Sequence, residues 1–221
     1  MSKIYEAFKF MKSNHGLQER KFGGMYYKHP QRVMGIVASY KESYMIEALM
    51  IAAILHDVIE DTLATYDEVK ELFGKIVADI VQELTNDEAE MARLGKAEYL
   101  ARKIVKMTSY AAVIKLGDRL DNLRDLSSFT PEKMLKKIKE TKYILDAFIV
   151  KAQPTPTAHE LVRDILIRMN EAVVFHNLDF EDFYYNNNQL HLEPLPHNWK
   201  YQNENFDRDF EDRVNELEIL L

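Results

Sequence analysis

Cysteine is absent from all 221 residues. Disulfides and thiolate metal sites are thereby excluded, so any metal must be held by nitrogen and oxygen. The absence suits a reducing compartment, and a cytoplasmic location is the expectation. Glycine and proline are sparse, with 7 and 6 residues, and alternating runs of Val, Ile or Thr are almost missing. Both shortages argue against β-structure and for an all-α fold. No stretch of about twenty apolar residues occurs, so no membrane span is expected. Residues 1–12 show an amphipathic pattern with scattered Lys and Glu, unlike a signal peptide. Positive charge is in deficit: 29 Lys and Arg against 36 Asp and Glu leave a net charge of -7. General nucleic-acid binding is not expected of such a chain. A small polyanion could still be met by a local basic cluster and a metal. What is abundant is hydrophobic residues, 47%, ample for one large domain or a domain with an appendage.

Helical periodicity and stop signals divide the chain. Ser2 caps a first helix to Ser13, with Ile4, Phe8 and Met11 facing inward. Residues 14–28 form a loop with three glycines, Gly16, Gly23 and Gly24. His29-Pro30 opens a second helix, since proline suits the first turn. A third runs from Tyr44 to about Ile59. Thr65 with Glu68 is a capping box, and its short helix stops at Gly74. A helix over 75–85 follows. The acidic stretch 86–95 reads as a mobile loop. Helices are then expected over 96–107, 110–126, 130–152 and 158–175, with Pro154 and Pro156 breaking the last two apart. The composition shifts after Asn177 to Asn, aromatic and acidic residues, which divides the chain into a domain over 1–175 and an extension over 176–221. Its large apolar side chains predict an irregular ordered arm and a short helix near 205–220. The arm would pack on the core or on a second copy, making a homodimer.

The most informative stretch is Ile54 to Thr62. The apolar run Ala48–Leu55 has the character of a buried helix, and it ends in His56, Asp57, Glu60 and Asp61. Burying an imidazole beside three acids without partners would cost several kcal/mol per charge, so a divalent cation is the simplest neutraliser. His56 and Asp57 cannot point the same way on a helix, but both can grip an ion at the seam of two faces. Glu60 and Asp61 each lie one turn beyond, where carboxylates could handle the ion's water. A second polar stretch, Lys115–Asp125, places Asp118 and Asn122 on one face, with Asp121 three residues after Asp118. Val113, Leu116, Leu120 and Leu123 form the opposite apolar stripe. His29 is a third source of ligands. Lys96, Arg102 and Lys103 lie on one helix and read equally as a solvated face with Glu98 or as a phosphate clamp. His159, His176, His191 and His197 show no ligand spacing.

Together these stretches resemble the HD-domain metal hydrolases, and most closely the hydrolase domain of the RelA/SpoT homologue family, including its stand-alone small alarmone hydrolases. Four motifs match in order over roughly residues 4–150. They run from His15, Gln18, Arg20-Lys21, Gly23 and Tyr26 to His29-Pro30. They continue through Leu55–Thr62, then through Thr65, Glu68-Val69, Phe73-Gly74, Val81 and Leu84-Thr85, and end in Lys115–Leu126. The resemblance implies an HD-domain helical bundle holding one manganese ion, with His29, His56, Asp57 and Asp118 as ligands. Glu60 and Asp61 match the acid pair that orients and deprotonates water. Arg20, Lys21 and Asn122 match positions that contact the nucleotide. The implied reaction removes the 3′-diphosphate of guanosine tetra- or pentaphosphate as pyrophosphate. Adenosine alarmones, the 2′-phosphate of NADPH, or an antitoxin-like pairing with an alarmone synthetase are the alternatives. Three departures stand out: Gly117 for the usual Ala, Phe22, Gly24 and Met25 for Ser, Glu and Pro, and Asp121 where relatives often carry His or Tyr.

Overall fold

The computed structural model describes residues 2–20, 23–152 and 154–178, and these are helical with no strand among them. The expected C-terminal arm, its pairing with a second copy and the candidate Lys21 lie outside the described residues. In chain order the helices are α1 Lys3–His15, α2 Lys28–Tyr40, α3 Ile46–Ile54, α4 Val58–Asp61, α5 Tyr66–Phe73, α6 Lys75–Leu84, α7 Glu88–Leu94, α8 Lys96–Lys106, α9 Ser109–Asn122, α10 Pro131–Lys151 and α11 Pro156–Phe175. A 3-10 segment, Leu123–Ser128, extends α9.

Helix α3 is the centre because almost nothing on it is polar. Leu49, Ile51, Ala52, Ala53 and Ile54 are buried, and α1, α2, α6 and α9 pack around them. Helix α9 also lies on α2, and Gly117 makes part of that seam: a Cβ built there would sit 3.4 Å from Ile36 Cγ2 and 3.7 Å from Val37 Cγ2. The other layer pairs α8 with α10 and α9 with α11. Starts follow the local chemistry. Ser2 Oγ accepts from Tyr5 N at 3.3 Å. Thr65 and Glu68 complete their capping box, with Glu68 Oε2 taking the Thr65 N–H at 2.8 Å.

Two expectations need correction. Residues 44–59 are not one helix: α3 stops at Ile54, Leu55 to Asp57 leave helical geometry, and α4 restarts at Val58. The break frees the end of the apolar helix to turn two adjacent polar side chains into the same space. Residues 86–95 are not simply a loop. Asp87 caps α7 by accepting from Glu90 N at 2.9 Å, and Gly95, at φ 82°, ends it.

Candidate active site

Three places in the fold deliver the polar side chains. The first turn of α2 supplies His29, the α3–α4 break supplies His56 and Asp57, and α9 supplies Asp118. His29 Nε2 lies 3.2 Å from Asp118 Oδ1 and 4.0 Å from Asp57 Oδ2. His56 Nε2 lies 3.0 Å from Asp57 Oδ2 and 4.0 Å from Asp118 Oδ1. The two imidazoles meet edge to face with centroids 5.2 Å apart. One ligand atom from each of His29, His56 and Asp118 falls within 4.8 Å of the others, and all three residues are buried.

The far nitrogen of each ring fixes its orientation. His56 Nδ1 donates to Ala53 O at 2.8 Å, a carbonyl that can only accept. His29 Nδ1 donates to Asp121 Oδ2 at 2.6 Å. Both Nε2 atoms therefore turn towards Asp57 and Asp118. His56 Nε2 is buried without a well-aligned hydrogen bond, although Asp57 is close. Burial pushes His29 down, but the hydrogen bonds and charges of Asp118 and Asp121 prevail and raise it to about 9. His56 is raised against its burial by Asp57. Asp57 resists burial and is lowered by the His56 charge, and Asp118 is lowered by Lys115 and the imidazoles. The acids thus call for positive charge at this spot, which is the role a divalent cation would take. Imidazole and carboxylate donors with no thiolate suit a hard or borderline ion, and His56 Nε2 is an orphan that such an ion would satisfy.

Around this centre a cleft of about 510 Å³ is lined by Arg20, Tyr26, His29, Asp57, Glu60, Asp61, Asp118 and Asn122. Lys96 from α8, Lys115 and Arg119 from α9 and Lys137 from α10 line the same cleft. Glu60 accepts from Asn86 N at 2.9 Å and Asn86 Nδ2 at 3.0 Å. Burial, with Asp57 and Glu60 nearby, raises the Asp61 carboxyl. Arg20 reaches Asn122 Oδ1 at 2.8 Å, Asp125 Oδ2 at 3.1 Å and Asp121 Oδ2 at 3.3 Å. Asn122 Nδ2 donates in turn to Asp118 Oδ1 at 2.5 Å.

Among the expected substrate contacts, Arg20, Asn122 and Lys96 line the cleft. Two others do not reach it. Arg102 is exposed and paired with Glu98 at 2.5 Å. Lys103 donates to Leu84 O at 2.9 Å, to Thr85 O and to Asn86 Oδ1 at 3.0 Å. Burial and the Lys115 charge lower it to about 8. It braces the residue that grips Glu60.

Several participants carry no role in the sequence reading. The Tyr26 hydroxyl donates to Asp57 and lies 3.4 Å from Asp61 Oδ2. Burial and the Asp57 charge raise its pKa, so it stays a donor. Lys115 is held 3.1 Å from Asp118 Oδ2, one turn earlier on α9, a spacing the sequence does display. Arg32 forks onto Asp121 at 2.7 and 2.9 Å, a partnership 89 residues apart that no local pattern announces.

Comparison with known proteins gives a consistent picture. The HD domain family profile matches residues 7–148. A guanosine-3′,5′-bis(diphosphate) 3′-pyrophosphohydrolase of Aquifex aeolicus is 36% identical over 72% of this chain and 21% of its own length. The bifunctional (p)ppGpp synthase/hydrolase SpoT of Escherichia coli is 37% identical over 73% of this chain and 22% of its own length. The chain thus spans about a fifth of the length of these curated relatives. A solved structure described as a metazoan ortholog of SpoT that hydrolyzes ppGpp covers 80% of this chain and 97% of its own, with 27% identity and a TM-score of 0.62.

Proposed function

Because the chain belongs to the HD domain family, we propose that it is a metal-dependent phosphohydrolase that removes the 3′-diphosphate of guanosine tetra- or pentaphosphate, using Mn²⁺. The observation that carries this reading is the juxtaposition of two imidazoles, two carboxylates and an acid pair at the wall of one cleft that also has a basic lining. The relatives named as ppGpp hydrolases support the substrate class.

His29, His56, Asp57 and Asp118 would hold the ion. A divalent cation bound there supplies Lewis-acid polarisation of a phosphoryl oxygen and makes a nearby water more acidic. The protein's own side chains do the rest. Lys96, Lys115, Arg119 and Lys137 receive the polyphosphate charge. Arg20 and Asn122 contact the nucleotide from the α1–α2 loop and from α9. Glu60 and Asp61 orient the attacking water and accept its proton. Burial raises the Asp61 carboxyl, and Glu60 is fixed by two Asn86 N–H groups. The water oxygen joins phosphorus, the bond from phosphorus to the ribose 3′ oxygen breaks, and that oxygen leaves with a proton. No described helix is long and apolar enough to cross a membrane, and a nucleotide dissolved in the cytoplasm is the substrate this reading implies.

The test is a screen of the purified full chain with Mn²⁺ against guanosine and adenosine 3′-diphosphates and NADPH, with pyrophosphate and phosphate detected separately. Pyrophosphate from the guanosine substrates is the expected result. Turnover only of the adenosine compounds, or phosphate release from NADPH, would replace the substrate assignment. Absence of bound metal and of all turnover would end the enzyme reading.

A further inference from the structure

We infer that Asp121 is a positioning residue for the metal centre: it aims the His29 lone pair at the ion and joins that imidazole to Arg20 and Arg32 in one charge network. The inference rests on the ligand assignment proposed above. Its ground is geometric. Asp121 has 0% exposure, yet its carboxylate accepts from three cationic or polar side chains. His29 Nδ1 stands at 2.6 Å, Arg32 Nε at 2.7 Å, Arg32 Nη2 at 2.9 Å and Arg20 Nη1 at 3.3 Å. Of these, His29 and Arg32 lie three residues apart on one face of α2, and Arg20 comes from the preceding loop. A carboxylate forked by a guanidinium is fixed in its plane. That plane then fixes the imidazole, because an ionised carboxylate only accepts and so requires the proton to sit on His29 Nδ1. The lone pair is left on Nε2, which faces Asp118 and Asp57.

The two imidazoles are therefore supported unequally. His56 leans on a neutral backbone carbonyl, Ala53 O. His29 leans on an anion, which makes its ring the more electron-rich donor. The same carboxylate holds one of the three contacts that locate Arg20 beside the cleft. Metal site and substrate-side guanidinium thus share one buried anchor, and Arg32 tempers that anchor's charge.

The experiment titrates Mn²⁺ by calorimetry into the full-length wild type, Asp121→Asn, Arg32→Gln and Asp118→Asn, with melting temperature and far-UV circular dichroism recorded for each. Loss of an outer-shell partner of this kind weakens metal binding about 10–100-fold, and that is the result expected of Asp121→Asn. Arg32→Gln should weaken binding too, though by less, since it unties the fork that fixes the carboxylate plane and leaves the carboxylate in place. A merely structural role for Asp121 would lower the melting temperature of Asp121→Asn and leave its Mn²⁺ affinity at the wild-type value. Nitrogen-15 spectra of the metal-free wild type add an independent reading: the His29 Nδ1–H proton should appear at low field, as expected for a donor to a carboxylate. If that proton is absent, the inference fails even should Asp121→Asn not fold. Wild-type affinity in Asp121→Asn would also overturn it. A wild type that binds no Mn²⁺, or an Asp118→Asn protein that binds it with wild-type affinity, would instead overturn the ligand assignment itself.

Discussion

Lys103→Met separates two roles for one ammonium group. The sequence leaves Lys103 between a solvated face and a phosphate clamp, whereas the structure spends its three hydrogen bonds on Leu84 O, Thr85 O and Asn86 Oδ1. Asn86 then directs its N and Nδ2 donors at Glu60. Methionine keeps most of the stem against Tyr99, whose ring the ammonium overlies at 5.7 Å, and deletes the donors. A net hydrogen bond to a charged group contributes about 1.5–3 kcal/mol. Lys103 is only half-buried, so water can replace it at the two carbonyls at the end of α6. What water does not replace is the fixed orientation of the Asn86 amide. Taking one such bond as the lost hold on Glu60, at about 1.4 kcal/mol per tenfold in rate, kcat should fall about 10–100-fold. KM should stay put, because Lys103 does not line the cleft. Steady-state kinetics on guanosine tetraphosphate with saturating Mn²⁺ reads both constants. A raised KM at unchanged kcat would restore the phosphate clamp and refute the brace. Unchanged values for both would mean that Glu60 needs no support from this side.

Other outcomes follow from the same geometry. Glu60→Gln should retain Mn²⁺ and substrate and lose turnover by about 10²–10⁴-fold, the usual range for a general base; survival of turnover in single-turnover assays would pass the role to Asp61. Lys103 titrates near 8 in the folded chain, below its ordinary value of 10.5. Between those values the unfolded chain binds the extra proton, so denaturant titrations should find the wild type gaining stability relative to Lys103→Met as pH rises from 8 to 10. Gly117→Ala should stabilise the fold by about 0.5–1 kcal/mol in the same assay, because the helix loses its glycine penalty. The new methyl meets Ile36, Val37 and Val33 at 3.4–3.8 Å, ordinary contact distances, and a lower melting temperature would show that the α2–α9 seam cannot accept it.

What was legible in the sequence was what is local. The all-α class follows from composition, and the capping box at Thr65 and Glu68 is present as read because its partners are three residues apart. The polar end of the apolar run was equally plain. A helix that buries Leu49 to Ile54 without a polar face has to end somewhere dry, and His56 and Asp57 stand at that end. The break at Leu55 was not legible, since each residue there tolerates helical geometry and the turn answers to the tertiary demand of aiming two neighbours together. Helix α7 could have been found. Asp87 with Glu90 three residues on and Gly95 as a stop is a helix signature, masked by an acidic composition that suggests a loop.

Long-range partnerships set the remaining limit, and α8 and α9 make the reason concrete. Lys96 and Lys103 are seven residues apart, two turns, so helical periodicity puts them on one face and makes them look equivalent. Two turns also separate them by about 10.5 Å along the axis. The cleft reaches the first and not the second, and the position of its edge is set by where α7 and the turn after α6 cross α8. Likewise Asp118, Asp121 and Asn122 occupy one turn of α9, yet they serve three tasks: Asp118 faces the two imidazoles, Asp121 anchors one of them from behind, and Asn122 reaches Arg20. Periodicity says which residues share a side of the helix. Which of them meets the ion, which meets the ring behind it and which meets the loop depends on the crossing of α9 over α2, a seam kept close at Gly117.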